Sequence, residues 1–440
     1  MKKLLCSILG GILAFSGMKA LAMPYFTGYT GILADFTAKA KENSDALINI
    51  DPVMESQAFF AGQLDFSGKV LVRGEFYLRT GDLLKDSIFV DSGEYNADFR
   101  IEEFSGTWVN ARPSSTHFLS LFMGSFEPIG SDVFLRRYFS IQPQTSLFTR
   151  SWRGINGASM YNVYGAGISY VLRFDRPHAA GLNVYFNQLE NDDGMFTNVL
   201  TADGRYACVF PNFTLDVSAG VGIPMETTDD SGSNVIAVVR TINLHAGLSM
   251  LAGNRYTSSF FMQTGFGSLI LNPSAQVSTT GKKYNAINFE DLYILLEPRI
   301  GFRQFQLNVA LFNIPGESMR NMIYLSSMYD SGTSNVLGLN ISAVTDMLYL
   351  KNTNFTFGIH TTAAIRNPLE GFSGDIKFSE YMAQSLQDIL LNRTDINITP
   401  FVSVPVFGGM LSSSMSIRIM QFASEWQRAI KLSVGFKTQI

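Results

Sequence analysis

Catalytic and metal centres need particular side chains at close spacing, and this sequence offers few such groupings. The histidines, His117, His178, His245 and His360, lie far apart without the short intervals of metal ligands. Cys208 shares the alternation of Tyr206 and Phe210, which reads as packing on an apolar face rather than as a nucleophile. It is the one cysteine beyond the first 22 residues, so no internal disulfide is expected there. Gly281-Lys282 lacks the upstream glycine of a phosphate-cradling loop. No enzyme activity, metal site or cofactor is expected.

The grouping with chemical potential is cationic. Segment 127–157 holds Arg136, Arg137, Arg150 and Arg153 against Glu127 and Asp132. Phe134, Tyr138, Phe139, Phe148 and Trp152 are interleaved with them. Fixed guanidinium groups around a wet passage favour anions. The plainer alternative is a surface loop whose aromatics pack on its neighbours. A second set comprises Lys69, Arg73, Glu75, Arg79, Arg173, Asp203, Arg205, Asp216, Asp291, Glu297, Arg299 and Arg418. Parity puts them on the polar sides of alternating segments. Such charges can set a transverse field across a pore, or simply pair into a stable wall.

The elements that must position these residues are strands. Successive strand side chains point to opposite faces, and strict alternation recurs along the chain. Ile430, Leu432, Val434 and Phe436 alternate with Lys431, Ser433, Gly435 and Lys437. Leu215, Val217, Ala219 and Val221 alternate with Asp216, Ser218, Gly220 and Gly222. Val70, Val72, Phe76 and Leu78 alternate with Lys69, Arg73, Glu75, Tyr77 and Arg79. Beyond the N-terminal segment no apolar run is long enough for a spanning helix. Alternation alone fits a soluble sandwich as well as a membrane barrel. The length without a linker or composition break favours the barrel.

Short turns alternate with long polar loops. Turns are expected at 67–68, 110–115, 174–178, 211–212, 252–254, 303–304, 351–352 and 408–409. Long loops are expected near 37–54, 81–96, 127–157, 190–198, 224–235, 271–286, 316–333, 368–392 and 422–427. This rhythm gives an all-β, transmembrane, antiparallel up-and-down barrel of about 18 strands. Sixteen is the alternative, because 97–109 and 116–126 alternate poorly; Glu102-Glu103 is a candidate bulge there. An even count places both termini on the periplasmic side. Residues 377–391 have helical spacing within the loop 368–392, suiting a cap over the pore, a partner contact or a cover for apolar surface. Tyr161, Tyr164, Tyr170, Phe174, Tyr206, Phe210, Trp108 and Phe302 suit an interfacial aromatic girdle.

Residues 1–22 read as an export signal, with Lys2 and Lys3 before an apolar run and Ala20-Leu21-Ala22 closing it. The barrel domain is then 23–440, with a first strand near 25–36 that leaves no room for an N-terminal plug. The formal charge is −4, with no basic excess for nucleic acid.

Together these features resemble bacterial porin-like outer-membrane proteins over residues 23–440. The strand Arg428–Lys437 is similar to the terminal strand such proteins present to the barrel-assembly machinery. It departs from the pattern by continuing past Phe436 to Ile440. The resemblance implies a barrel in the outer membrane, in contact with its lipid and able to form homo-oligomers. It implies diffusion of small polar or anionic solutes, with 127–157 folding inward as a constriction. Two other readings stay open. One is uptake of hydrophobic solutes such as fatty acids, with Phe261, Leu295, Phe312 and Phe401 lining an apolar pocket. The other is a surface adhesin or structural barrel with a blocked pore.

Overall fold

The computed structural model describes residues 25–40, 50–85, 96–141, 145–151, 160–175, 177–190, 196–227, 235–236, 241–254, 257–272, 283–302, 304–319, 322–329, 332–350, 353–370, 372, 377–423 and 426–439. The expected export signal and Arg153 lie outside the described residues.

Eighteen antiparallel strands form one closed ring. They are β1 (Tyr25–Ala40), β2 (Ile50–Phe66), β3 (Val70–Thr80), β4 (Ala97–Arg112), β5 (Ser115–Ser125) and β6 (Tyr164–Phe174). Next come β7 (His178–Glu190), β8 (Phe196–Phe210), β9 (Phe213–Thr227), β10 (Ile242–Gly253), β11 (Ser258–Leu271) and β12 (Leu292–Phe302). The ring ends with β13 (Phe305–Pro315), β14 (Asn335–Leu350), β15 (Thr353–Arg366), β16 (Thr394–Val406), β17 (Gly409–Arg418) and β18 (Ile430–Gln439). Each pairs with its sequence neighbours, and β1 pairs with β18, Tyr29 opposite Gln439 and Phe36 opposite Leu432. Closure satisfies every edge, which strands in lipid require. A two-residue piece, Val235–Ile236, pairs with the end of β9. Among the described residues no helix is long and apolar enough to cross a membrane; the crossing elements are strands.

The ring is inside out relative to a soluble protein. On β7, Leu182 and Phe186 are 53% and 55% exposed on the outer face, while Asn183 and Tyr185 between them are 4% and 1% exposed. The same inversion recurs: Ser169, Thr201, Gln263, Asn340 and Asn397 are buried, whereas Ile168, Ile300, Leu311 and Ile341 are exposed. Water as the outer solvent would penalise this surface, and lipid rewards it. The alternation in the sequence could not separate the two cases. The direction of the alternation, apolar out and polar in, does.

The outer wall is rich in aromatics. Phe26, Phe60, Phe76 and Phe99 stack in a row across β1–β4, with centroids 6.5, 6.3 and 6.1 Å apart. Trp108, Tyr164, Tyr170, Phe174, Tyr206, Phe210 and Phe302 are all exposed on the outer face, as the girdle requires. Tyr161 is a correction. It belongs to a loop and stacks inside the barrel on His245, rings 3.6 Å apart.

The poor alternation of 97–109 has a physical cause. Glu75 pairs with Glu103 and Phe76 with Ile101, so Glu102 is an extra residue. The bulge switches parity: Phe99 and Ile101 point outward before it, and Trp108 after it. Both doubtful segments are full strands, and the alternative of sixteen falls. Several boundaries also move. The first hairpin extends to Ala40 and Ile50, shortening the loop expected at 37–54. The β10–β11 turn lies beyond Gly253, and the β16–β17 turn is Phe407-Gly408. Both residues of that last turn have positive φ, which suits the glycine.

Candidate functional site

Residues 126–141, 145–151 and 160–163, between β5 and β6, fold into the lumen. The segment enters through Glu127, at φ 52°, and its arm Ile129 pairs with Tyr161 on the returning side. Helix α1 (Val133–Phe139) follows and ends at Ser140 in the left-handed region, whose N–H donates to the Arg136 carbonyl. Val133, Phe134, Leu135 and Tyr138 are buried. Phe134 and Tyr138 pack with Phe118 and Val171 of the wall and with the small residues Ala179 and Ala207. These alanines form the recess into which a short helix fits. At the arm, a side chain on Gly247 would stand 2.4 Å from Ile129, so only glycine admits this approach. Replacing Ala207 with leucine should expel α1, and a rise in single-channel conductance is the expected readout. Unchanged conductance would show that α1 does not narrow the passage.

A second insertion was not foreseen. Between β13 and β14, residues 316–319, 322–329 and 332–334 also turn inward, with a helical turn at Gly316–Met319 and a 3-10 turn at Ser326–Met328. The two loops meet: Ser151 bridges to Met322, and the Ile323 N–H donates to the Arg150 carbonyl at 3.0 Å. Their contact builds a closed apolar cluster of Ile129, Phe148, Met160, Met319, Met322 and Leu325 against Phe261, Leu295, Phe312 and Ile314 of the wall. Flexible methionines fill such irregular gaps well. Phe261, Leu295 and Phe312 are therefore consumed as docking sites for loops, and the cavity that Phe261 borders is only about 20 Å³. Phe401 instead stacks on His360 at 5.0 Å, beside Tyr324 of the second loop.

Most of the expected lumen charges are engaged in ion pairs. Arg205 grips Asp216 through two hydrogen bonds of 2.8 and 2.6 Å, and donates to the Glu127 carbonyl at 2.9 Å. Its guanidinium lies 4.5 Å over the Phe134 ring. Asp203 pairs with His245 at 2.7 Å, Arg299 with Glu297 at 2.6 Å, and Arg418 with Asp395. Arg73 donates to Glu75 at 2.9 Å, and Arg79 meets Glu55 at 3.4 Å nearer the long-loop mouth. Lys431, on β18, holds Asp35 at 2.8 Å. Arg173 supports α1 by donating to the Tyr138 carbonyl at 3.0 Å. Two assignments need correction. Lys69 is an exposed residue of the β2–β3 turn, and Asp291 lies in a 3-10 turn before β12. Neither sits on the strand wall, because both strands begin one residue later than the alternation suggests.

The arginines of the inserted loop divide by role. Arg137 is a strut: it pairs with Glu103 of β4 and with Glu127 at 3.2 Å, and covers Phe126 at 4.6 Å. The Tyr138 hydroxyl donates to Glu127 at 2.6 Å. Burial pushes the Glu127 carboxyl above its ordinary range despite Arg137 and Arg205. Arg136 reaches Asp132 at 3.2 Å, but its Nε and Nη2 find no hydrogen-bond partner among the described residues. Arg150 is exposed to the lumen. Its charge is felt by Tyr324, and there it opposes the effect of burial, which dominates and pushes that phenol up to about 12.

Lys437 was recognised only as an inward-facing position of the last strand. Its ammonium lies 5.4 Å over the Phe59 ring, in the same field as Arg136, Arg150 and Asp132. Parity was the signal that could have found it. Below α1 a cavity of about 460 Å³ opens toward the short-turn end, lined in part by Tyr29, Gln63, Arg73, Arg136, Arg137 and Gln439. This cavity lies along β1–β5 with Arg136 and Arg137 in its lining, and the charges of Arg136 and Arg150 reach Lys437. The histidines serve structure: His117 and His178 bond to Tyr170 and Tyr206 on the outer face, and His360 to Ser342 within.

No family model and no curated protein matches the chain. Solved structures do resemble it in outline. OccAB3 of Acinetobacter baumannii aligns at a TM-score of 0.49 with 8% identity, covering 94% of this chain and 99% of that one. OpdL of Pseudomonas aeruginosa aligns at 0.47 with 8% identity, covering 94% and 98%. Wzi of Escherichia coli, a carbohydrate-binding outer-membrane barrel involved in group 1 capsule assembly, aligns at 0.43 with 11% identity, covering 92% and 83%.

Proposed function

We propose that this chain is an outer-membrane channel through which small polar solutes diffuse, with anions favoured. The observation that carries the reading is an imbalance of charge. The wall pairs Arg205–Asp216 and Arg299–Glu297 are matched, whereas Arg136, Arg150 and Lys437 act on one another with Asp132 beside them. A passage bordered by such groups concentrates anions and depletes cations. The ring of 18 strands is wide enough for a wet lumen, and the two inserted loops reduce it to the sector along β1–β5. The long loops would face outward and the short turns the periplasm, as in other barrels of this kind.

Planar-bilayer recording under a salt gradient tests the proposal. Stable conductance with a reversal potential on the anion side is expected. A bilayer that stays silent would instead favour a barrel blocked by its two loops. Segment Arg428–Lys437 is the proposed recognition strand for the assembly machinery; it pairs with both β17 and β1 and so completes the ring.

A further inference from the structure

The long-loop rim above β16–β18 carries apolar side chains where a rim facing water would be polar. Helix α2 (Phe378–Asp388) is anchored along one stripe. Tyr381 is buried there, its hydroxyl donating to the carbonyls of Pro368 and Glu370 at 3.1 and 2.9 Å. Ile389, two turns further on, is buried as well. Beside this stripe Leu386 and Leu390, four residues apart, are exposed, and Leu391 is 64% exposed. Glu380, Gln384 and Gln387 occupy the remaining arc and are also exposed.

The loop between β17 and β18 adds Ile419, Met420, Phe422 and Trp426, all exposed. The two groups are neighbours in space. The π-helical turn Ile389–Arg393 leads directly into β16, and the Ile419 N–H donates to the Ile396 carbonyl of β16 at 2.8 Å. Ile419 continues the outward row of β17 above Met415 and Ile417, and Ile430 starts that of β18 above Leu432. The apolar surface therefore runs from the lipid-facing wall up onto both loops.

We infer that Leu386, Leu390, Leu391, Ile419, Phe422 and Trp426 are immersed in the outer leaflet, making α2 an interfacial anchor and not a lid over the pore. The occupant of this surface is lipid acyl chain. Continuity with the lipid-facing wall is the main argument. Across α2 and the π-helical turn that continues it, the anchored residues Tyr381 and Ile389, the apolar pair Leu386 and Leu390 and the polar arc of Glu380, Gln384 and Gln387 divide the surface as a helix lying in an interface requires. Tryptophan suits the same depth, with its ring in hydrocarbon and its N–H at the headgroups. The inference rests on the membrane reading above.

The test uses two single-tryptophan forms of the full chain, refolded into vesicles with and without brominated phospholipid. One keeps Trp426 (Trp108→Phe, Trp152→Phe); the other keeps Trp108, on the outer wall of β4. Both should lose most of their emission to brominated lipid and little to aqueous iodide. Loss of Trp108 emission alone, with Trp426 quenched by iodide, overturns the inference and leaves the membrane reading intact. Trp426 shielded from both quenchers also overturns it, because protein then covers the rim. Failure of both tryptophans to respond to lipid removes the membrane reading itself. Should either form fail to fold, a polarity-sensitive probe on Leu390→Cys, with the native cysteines changed to serine, gives the same decision. Blue-shifted emission supports immersion, and water-like emission refutes it.

Discussion

Neutralising Arg136 and Arg150 together is expected to lower the anion-to-cation permeability ratio by roughly an order of magnitude. A unit charge about 7 Å from a permeating ion in water is worth roughly 0.6 kcal/mol, close to thermal energy. It favours an anion about threefold and disfavours a cation by about the same factor. Two charges multiply these factors, and salt reduces them, so the loss should be largest at low ionic strength. Reversal potentials of Arg136→Gln/Arg150→Gln, measured at several salt concentrations, provide the check. Arg299→Gln is the contrast. That guanidinium is 4% exposed and paired with Glu297, so its loss should reduce stability and leave selectivity alone. Equal effects from the two changes would show that Arg136 and Arg150 have no special role.

Acid should strengthen anion preference, and Glu127 is the reason. Its carboxyl is fully buried, and Oε2 has no hydrogen-bond partner among the described residues. Burial, stronger than the attraction of Arg137 and Arg205, raises its affinity for a proton above the ordinary value of 4.5. Above the raised value the buried carboxylate is ionised and costs stability. Between that value and 4.5 the folded chain holds a proton that the unfolded chain lacks, so stability falls as pH rises through this window.

Protonation also leaves Arg137 balanced by Glu103 alone, which makes the passage more positive. The ratio of anion to cation permeability should therefore climb as pH falls through the window. Glu127→Gln should hold the acid behaviour at neutral pH and abolish this part of the dependence. Arg137→Ala should act in the opposite sense. It strands Glu103 and Glu127 without their main partner, at a cost of about 3–5 kcal/mol, and should release α1. A pH profile identical in wild type and Glu127→Gln would remove Glu127 from the account.

The sequence displayed the barrel more openly than the site. Parity is a local property, so the faces of β3, β9, β17 and β18 could be read directly. It failed where one extra residue, Glu102, reversed the phase within a strand. Partners are not local. Ser146 bonds to Glu297 and Arg205 to the Glu127 carbonyl, across 151 and 78 positions, and nothing in the spacing announces either. Hence the wall charges were recognised while their mutual neutralisation was not. The inserted loops left a trace: Phe261, Leu295 and Phe312 are apolar residues on the inner face. Read as the lining of a solute pocket, they misled. An apolar residue that points into a wet lumen can equally mark where a loop will dock, and here three of them do.

The meeting of Ser151 with Met322 has a mechanical side. The two loops spring from the β5–β6 and β13–β14 junctions, which face each other nearly diametrically around a ring of 18 strands. A hoop of this kind resists stretching but ovalises easily when squeezed. A member fixed at both ends across its width sets the ratio of its long and short axes. The joined loops are such a tie, so lateral pressure from the bilayer is borne across the lumen and not only around the wall. Severing the tie at either loop would change the shape of the opening even with every passage-lining charge left in place.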